Sequence, residues 1–205
     1  MRSPRAALWL LLSGIFICNS RTLAAQVIEF ENAGLRFQSM TQNGVTLMCA
    51  RLPVQLKQFA LIQVALSNGS EAYATLKPED FAFNGSNGEI VRAMSARDVV
   101  TNILEHGTHG DLVKLVKTYE NAIYAIPNLN LKTGYEKRRQ AALGEGTNTK
   151  FKAAAAASAI ALIASRVAPG QTIDGAVFFP IAGGALPAGR VTARPGTVTY
   201  EFNPE

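Results

Sequence analysis

Histidine occurs twice in this sequence, and both copies fall in one short stretch, Glu105-His106-Gly107-Thr108-His109-Gly110-Asp111. Imidazole nitrogens flanked by carboxylate oxygens are a donor set that zinc and similar ions accept, and the glycines would let a loop turn both rings toward one ion. Glu105, His106, His109 and Asp111 are therefore the candidate metal ligands, and a metal-dependent hydrolase is the enzyme reading they support. The spacing weakens it. H-x-x-H in a loop lacks the i, i+4 geometry of the helical zinc-protease motif, and the sequence offers no third, distant ligand. The plainer reading is a solvated loop between helices, in which Gly107 stops one helix and Asp111 caps the next. On that reading the chain has no catalytic residue, no bound metal and no cofactor.

Other reactive residue types lead to similar conclusions. Cys49 sits among Val45, Leu47 and Leu52, with no histidine at a spacing that would activate a nucleophile, so it reads as a small buried hydrophobe. Ala182-Gly183-Gly184-Ala185 lacks the lysine and hydroxyl of a phosphate loop. Lys137, Arg138 and Arg139, with Lys150 and Lys152, bracket Glu145 in a pattern expected of a solvated helix face.

The segment from Ala153 is the most unusual. Five consecutive alanines, then Ser158, Ala159 and Ile160, give strong helix propensity with a small cross-section. A helix over Ala153–Ser165 would be about 20 Å long at ~1.5 Å per residue, short of a ~30 Å bilayer core. A helix apolar on every side must be covered. Either the rest of the chain covers it, or another chain does. The second reading makes Ala153, Ala156, Ala157, Ile160 and Ile163 partner-facing. Peripheral contact with a membrane through this helix and its basic flanks is a third.

The chain has 205 residues, 20 Lys+Arg against 15 Asp+Glu, a formal net charge of +5 and 48% hydrophobic residues. That hydrophobicity excludes a disordered chain, and two cysteines exclude a disulfide-dense scaffold. Arg2 and Arg5 precede the apolar run Ala6–Ile17, and small residues follow at Thr22, Ala24 and Ala25. This is the pattern of a secretory signal peptide, residues 1–25, cleaved after Ala24 or Ala25. Ile17 and Phe16 before Cys18 depart from the small residue that lipidation requires. Cleavage removes Cys18 and the three arginines at 2, 5 and 21, so the net charge falls from +5 to +2. With it goes the argument for a nucleic-acid partner.

Strand patterns fill both flanks of the remaining chain. Val45–Ala50 alternates, as does Phe59–Ser67, where Ile62, Val64 and Leu66 form the more apolar face. Ala72–Leu76, Phe81–Phe83 and Glu89–Ala93 follow, separated by Asn-, Gly- and Pro-rich turns. Ser95 caps a helix carrying Val99, Val100, Ile103 and Leu104, and Asp111 opens a second, with Leu112, Leu115, Val116, Tyr119 and Ile123 on one stripe. Tyr135–Leu143 reads as a third helix. Thr147 or Asn148 starts the alanine-rich one, which runs to about Ser165. Strands return at Ile173–Phe179, Arg190–Ala193 and Thr197–Phe202, where Val198, Tyr200 and Phe202 share a face. The helical block of about 95–166 is most simply an insertion whose helices pack to one side of a β domain.

Three stretches carry a family resemblance: Leu61-Ile62-Gln63-Val64-Ala65-Leu66-Ser67-Asn68, Leu76-Lys77-Pro78-Glu79-Asp80-Phe81-Ala82-Phe83 with Gly88, and Val167-Ala168-Pro169-Gly170-Gln171-Thr172-Ile173-Asp174-Gly175-Ala176-Val177-Phe178-Phe179. In that order they resemble the secreted, telokin-like immunoglobulin-fold domains of bacterial envelope proteins. The resemblance covers about 45–93 and 167–202; the helical block departs from it. It implies a β-sandwich with a binding or envelope role and transfers no catalytic residue. The expectation is thus a mainly β protein with an α insertion: an immunoglobulin-like β-sandwich over 26–205, with its helical insertion at about 95–166. It would be a non-catalytic, secreted or periplasmic binding or structural component of the bacterial envelope. It would meet a protein partner or a second copy of itself through the insertion.

Overall fold

The computed structural model describes residues 26–204 apart from 33, 57, 109, 112, 116–147 and 182–185. The chain is mainly β, built of antiparallel sheets. It opens on a meander of β1 (Val27–Asn32), β2 (Leu35–Gln42) and β3 (Val45–Gln55). The first two strands precede Val45, where the alternation was expected to begin. Asn43 and Gly44 join β2 to β3 with φ of 50° and 77°. Asn and Gly enter that region at low cost, and two successive positive φ values match the twist of the flanking strands. β4 (Ala60–Asn68), β5 (Ala74–Leu76), β6 (Phe81–Gly85) and β7 (Ile90–Arg92) follow, with one 3₁₀ turn at Pro78–Asp80. Among the described residues, helices with defined bounds follow at α1 (Ala96–His106) and α2 (Thr149–Ile160), and residues 110–111 and 113–115 between them are also helical. The chain returns to β8 (Ser165–Val167), β9 (Thr172–Phe179), β10 (Gly189–Ala193) and β11 (Tyr200–Phe202).

The strands form a five-stranded sheet in the order β1-β2-β3-β4-β9, a four-stranded sheet in the order β11-β10-β6-β7, and the pair β5-β8. Two buried clusters lie on opposite faces of the five-stranded sheet. On one face Leu47, Cys49, Ile62, Val64, Leu66, Val177 and Phe179 pack with Phe81, Phe83, Val191, Tyr200 and Phe202 of the four-stranded sheet. On the other, Phe37, Ala50, Leu61, Ala65, Ala176 and Phe178 pack with Val99 and Ile103 of α1 and the alanines of α2. Of the nine residues of β4 only Ser67 is less than fully buried. Ile62, Val64 and Leu66 do face a core, and so do Leu61 and Ala65. An antiparallel sheet usually leaves one face to water; this one is covered on both.

The chain enters and leaves the helical layer along the outer edge of β9. Met94 N–H donates to the Phe178 carbonyl (2.9 Å) just before α1 begins, and Leu162 N–H donates to the Ala176 carbonyl (2.8 Å) just after α2 ends. Together they occupy backbone groups that an open edge would offer to another strand. Gly175 permits the second crossing: a Cβ there would lie 2.6 Å from Leu162 Cα. These contacts also explain why α2 stops at Ile160 and not near Ser165. Leu162 is buried with the inter-sheet cluster, and Ser165–Val167 is claimed by β5. Tertiary pairing overrides the helix propensity of alanine.

Asn68 joins the turns at one end of the structure. Its Nδ2 donates to the carbonyls of Ala72 (2.7 Å) and Val167 (3.0 Å), and its Oδ1 accepts from the amide and hydroxyl of Ser70 (3.1 and 2.7 Å). Its backbone N–H reaches Gln171, and its carbonyl accepts from Gly170. At the same end, where Val45 pairs with Asn68, the buried Tyr200 donates its hydroxyl to the Val45 carbonyl (3.1 Å), linking the two sheets. Because Asn68 and its bond to the Val167 carbonyl are buried, Asn68→Ala leaves that carbonyl without a partner away from water. It should lower unfolding free energy in urea by about 2–3 kcal/mol. A loss near zero would show that these bonds are replaced by water.

Candidate functional site

The predicted ligand cluster begins at the C-terminus of α1. Ser95 Oγ accepts the Asp98 amide at the start of this helix (3.1 Å), and Gly107 ends it. Glu105 and His106 point into solvent, with Nε2 and Oε2 3.6 Å apart. Lys150 donates from α2 to the Glu105 carbonyl (2.8 Å), placing a cation at the negative end of the helix dipole. Asp111 is held elsewhere. Its Oδ2 accepts the amide (3.0 Å) and hydroxyl (2.7 Å) of Thr108, and Thr108 Oγ1 accepts the Asp111 amide (3.2 Å). This is a reciprocal capping box with Thr108 as the cap, so the expected cap at Asp111 shifts three residues upstream. A cavity of about 30 Å³ beside Phe59, Ile103, His106 and Asp111 has room for a water or two and no substrate. His109 lies outside the described residues. Among those described, no three His, Cys, Asp or Glu residues converge as a metal site would require.

Cys49 is buried between the two sheets, and burial pushes its thiol far above the usual range. A thiolate is disfavoured there.

The alanine-rich segment is placed where the partner-facing reading fails. Asn148 Oδ1 accepts the Lys150 amide (2.9 Å) and starts α2 as expected. Ala153, Ala156, Ala157 and Ile160 are then buried at 0–2% exposure against α1 and the five-stranded sheet. Four of the five residues assigned to a partner are covered by this chain; only Ile163, 49% exposed, stays in solvent. The physical reason is the sheet, whose second apolar face needs a cover. Alanine lets a helix backbone approach it closely. The expected helix at Tyr135–Leu143 falls outside the described residues.

A different place gathers polar side chains. On the outer face of the four-stranded sheet an open groove of about 540 Å³ lies over β6, β10 and β11. Period-two alternation builds it: Phe83, Val191, Ala193, Tyr200 and Phe202 point inward, so their neighbours point out. Asn84 and Ser86 line one side, Arg190, Thr192 and Arg194 the middle, and Glu201 and Asn203 the other side. Arg190 Nη1 donates to Glu201 Oε2 at 3.0 Å, and Asn84 Nδ2 donates to Thr192 Oγ1 at 3.1 Å. Gly85 and Gly189 face each other where β6 and β10 pair; a Cβ at Gly189 would strike the Asn84 carbonyl and the Phe83 ring. Sequence reasoning followed the apolar half of these strands and passed over the polar half. The same alternation carries both.

Arg194 extends from the end of β10, where its backbone N–H donates to the Asp80 carbonyl (2.9 Å). Asp80 Oδ2 in turn accepts the Lys77 amide (3.0 Å) and closes the 3₁₀ turn, and burial raises that carboxyl above its ordinary value. The Arg194 guanidinium has no carboxylate partner among the described residues.

No family model and no curated protein matches the chain. Among solved structures, the yjhA protein from Bacillus subtilis is similar over 87% of this chain and 96% of its own, with 10% identity and a TM-score of 0.37. A likeness of that strength bears on neither fold nor function.

Two measurements check these placements. Ala157→Leu should destabilise the protein by about 1–3 kcal/mol, because it overpacks a fully buried site. Ser158→Leu, on the exposed side of the same helix, should change stability by less than about 0.5 kcal/mol. Equal effects would place α2 off the sheet. Cys49 should resist a thiol reagent in the native protein and react on unfolding. Its thiol is held protonated by the fold, so that contribution to stability is complete below the unfolded value of 9.0. It is lost as pH rises above that value, where only the unfolded chain readily ionises.

Proposed function

We propose that the protein is an exported, non-catalytic binding or structural component of the bacterial envelope. On this reading the antiparallel sheets form an immunoglobulin-like β-sandwich related to the telokin-like secreted domains, with residues 95–166 inserted between strands. The observation that carries it is spatial. Two of the three stretches bearing the resemblance, about a hundred residues apart in sequence, meet around Asn68: β4 pairs with β9, and the Asn68 side chain bonds the Val167 carbonyl. The first described strand begins at Val27, two residues beyond the later expected cleavage site.

Binding is reassigned on this proposal from the insertion to the outer face of the four-stranded sheet, where the polar groove offers charged and amide groups on a rigid scaffold. α2 serves as the cover of the five-stranded sheet and not as a docking surface. Expressed in a bacterium, the chain should be recovered outside the cytoplasm with Ala25 or Gln26 as its first residue by intact mass. An uncleaved chain retained in the cytoplasm would overturn the exported reading.

A further inference from the structure

We propose that the groove over β6, β10 and β11 binds an acidic saccharide, a sugar carrying a carboxylate among its hydroxyls. The inference deepens the reading of the chain as a binding component and rests on it for its biological setting.

The lining settles the class of ligand. Every residue lining the groove is polar, charged or glycine. No aliphatic or aromatic side chain lines it, so it lacks the platform on which a hydrophobic ligand would rest. Its volume of about 540 Å³ falls within the range of small-molecule sites. The charges are unequal: Arg190 is bonded to Glu201, whereas Arg194 is left without a carboxylate among the described residues. A guanidinium presents parallel N–H groups that fit a carboxylate bidentately.

The hydroxyl-binding groups separate an acidic sugar from a phosphate. Phosphate can meet Arg194 but brings no ring of hydroxyls, and Glu201, already paired with Arg190, has nothing to accept from it. Glu201 is an acceptor, and hydroxyl groups are what it can accept from. Asn84 and Asn203 amides and Ser86 and Thr192 hydroxyls complete a surface that both donates and accepts, as a ring of sugar hydroxyls requires. The positions are held by backbone pairing. Arg190 stands opposite Asn84 and Thr192 opposite Glu201 in the ladders, and Ser86 N–H donates to the Ala188 carbonyl (2.9 Å).

The test is an amide-shift NMR titration of the purified mature chain with digalacturonic acid, neutral galactobiose and inorganic phosphate. Digalacturonic acid should shift Gly85, Ser86, Gly189 and Asn203 saturably, and added salt should weaken it. Galactobiose and phosphate should bind at least about tenfold more weakly, the equivalent of one well-formed charged contact. Arg194→Gln should weaken digalacturonate by about the same factor. Should that variant fail to fold, Asn203→Ala serves, since its amide bond to Gln38 comes from the backbone; a loss of about threefold is expected. Absence of a saturable shift, equal binding of phosphate or galactobiose by the wild type, or full affinity in Arg194→Gln would overturn the proposal. Because the titration uses purified chain, its failure leaves the export reading standing, and failure of export leaves the titration readable.

Discussion

A sheet with apolar side chains on both faces cannot stand in water with either face open, and the five-stranded sheet is such a sheet. β4 is its centre, with Ile62, Val64 and Leu66 on one side and Leu61 and Ala65 on the other. Covering the first side takes the four-stranded sheet; covering the second takes the helices. Everything between β7 and β8 that the structure describes follows from the second requirement. Each large side chain sealed in this way contributes on the order of 1.5–3 kcal/mol, so an uncovered face would be a severe loss.

The same requirement explains the composition of α2. Bulky residues would hold a helix away from the sheet, whereas Ala153, Ala156 and Ala157 bring its backbone close and let Ile160 close the end. The route of the chain serves it too. Entry at Met94 and exit at Leu162 both lie on the edge of β9, so the excursion that covers the face also protects the edge. Gly175 makes the crossing sterically feasible. One glycine therefore connects the packing of the helical layer with the protection of the sheet against pairing with other chains.

With both faces of the five-stranded sheet occupied, the outer face of the four-stranded sheet is left to meet solvent, and its polar residues are the ones available to a ligand. Arg190, Arg194 and Glu201 are near neighbours in the chain, but Asn84 comes from more than a hundred residues away, and the order β11-β10-β6 assembles them. At Glu105–Asp111, which carries the most suggestive residue types, Glu105 and His106 face solvent and Asp111 closes a capping box with Thr108. Carboxylates near helix ends have local roles that need no ligand.

What the sequence determined by itself was local. Ser95 and Asn148 as caps, the stop at Gly107, the alternation of β4, β9 and β10, and the turns after Asn68 and Val167 are each decided by a few neighbouring residues. Asn43-Gly44 carried an equally strong turn signal, and with it β2 was within reach; the polar character of β1 and β2 obscured them. The tertiary structure alone decided what covers each apolar face, where α2 ends and which polar residues meet in the groove. Burial is a relation between surfaces distant in the chain. An alanine helix that must be covered reads the same in sequence whether its cover is its own sheet or another molecule.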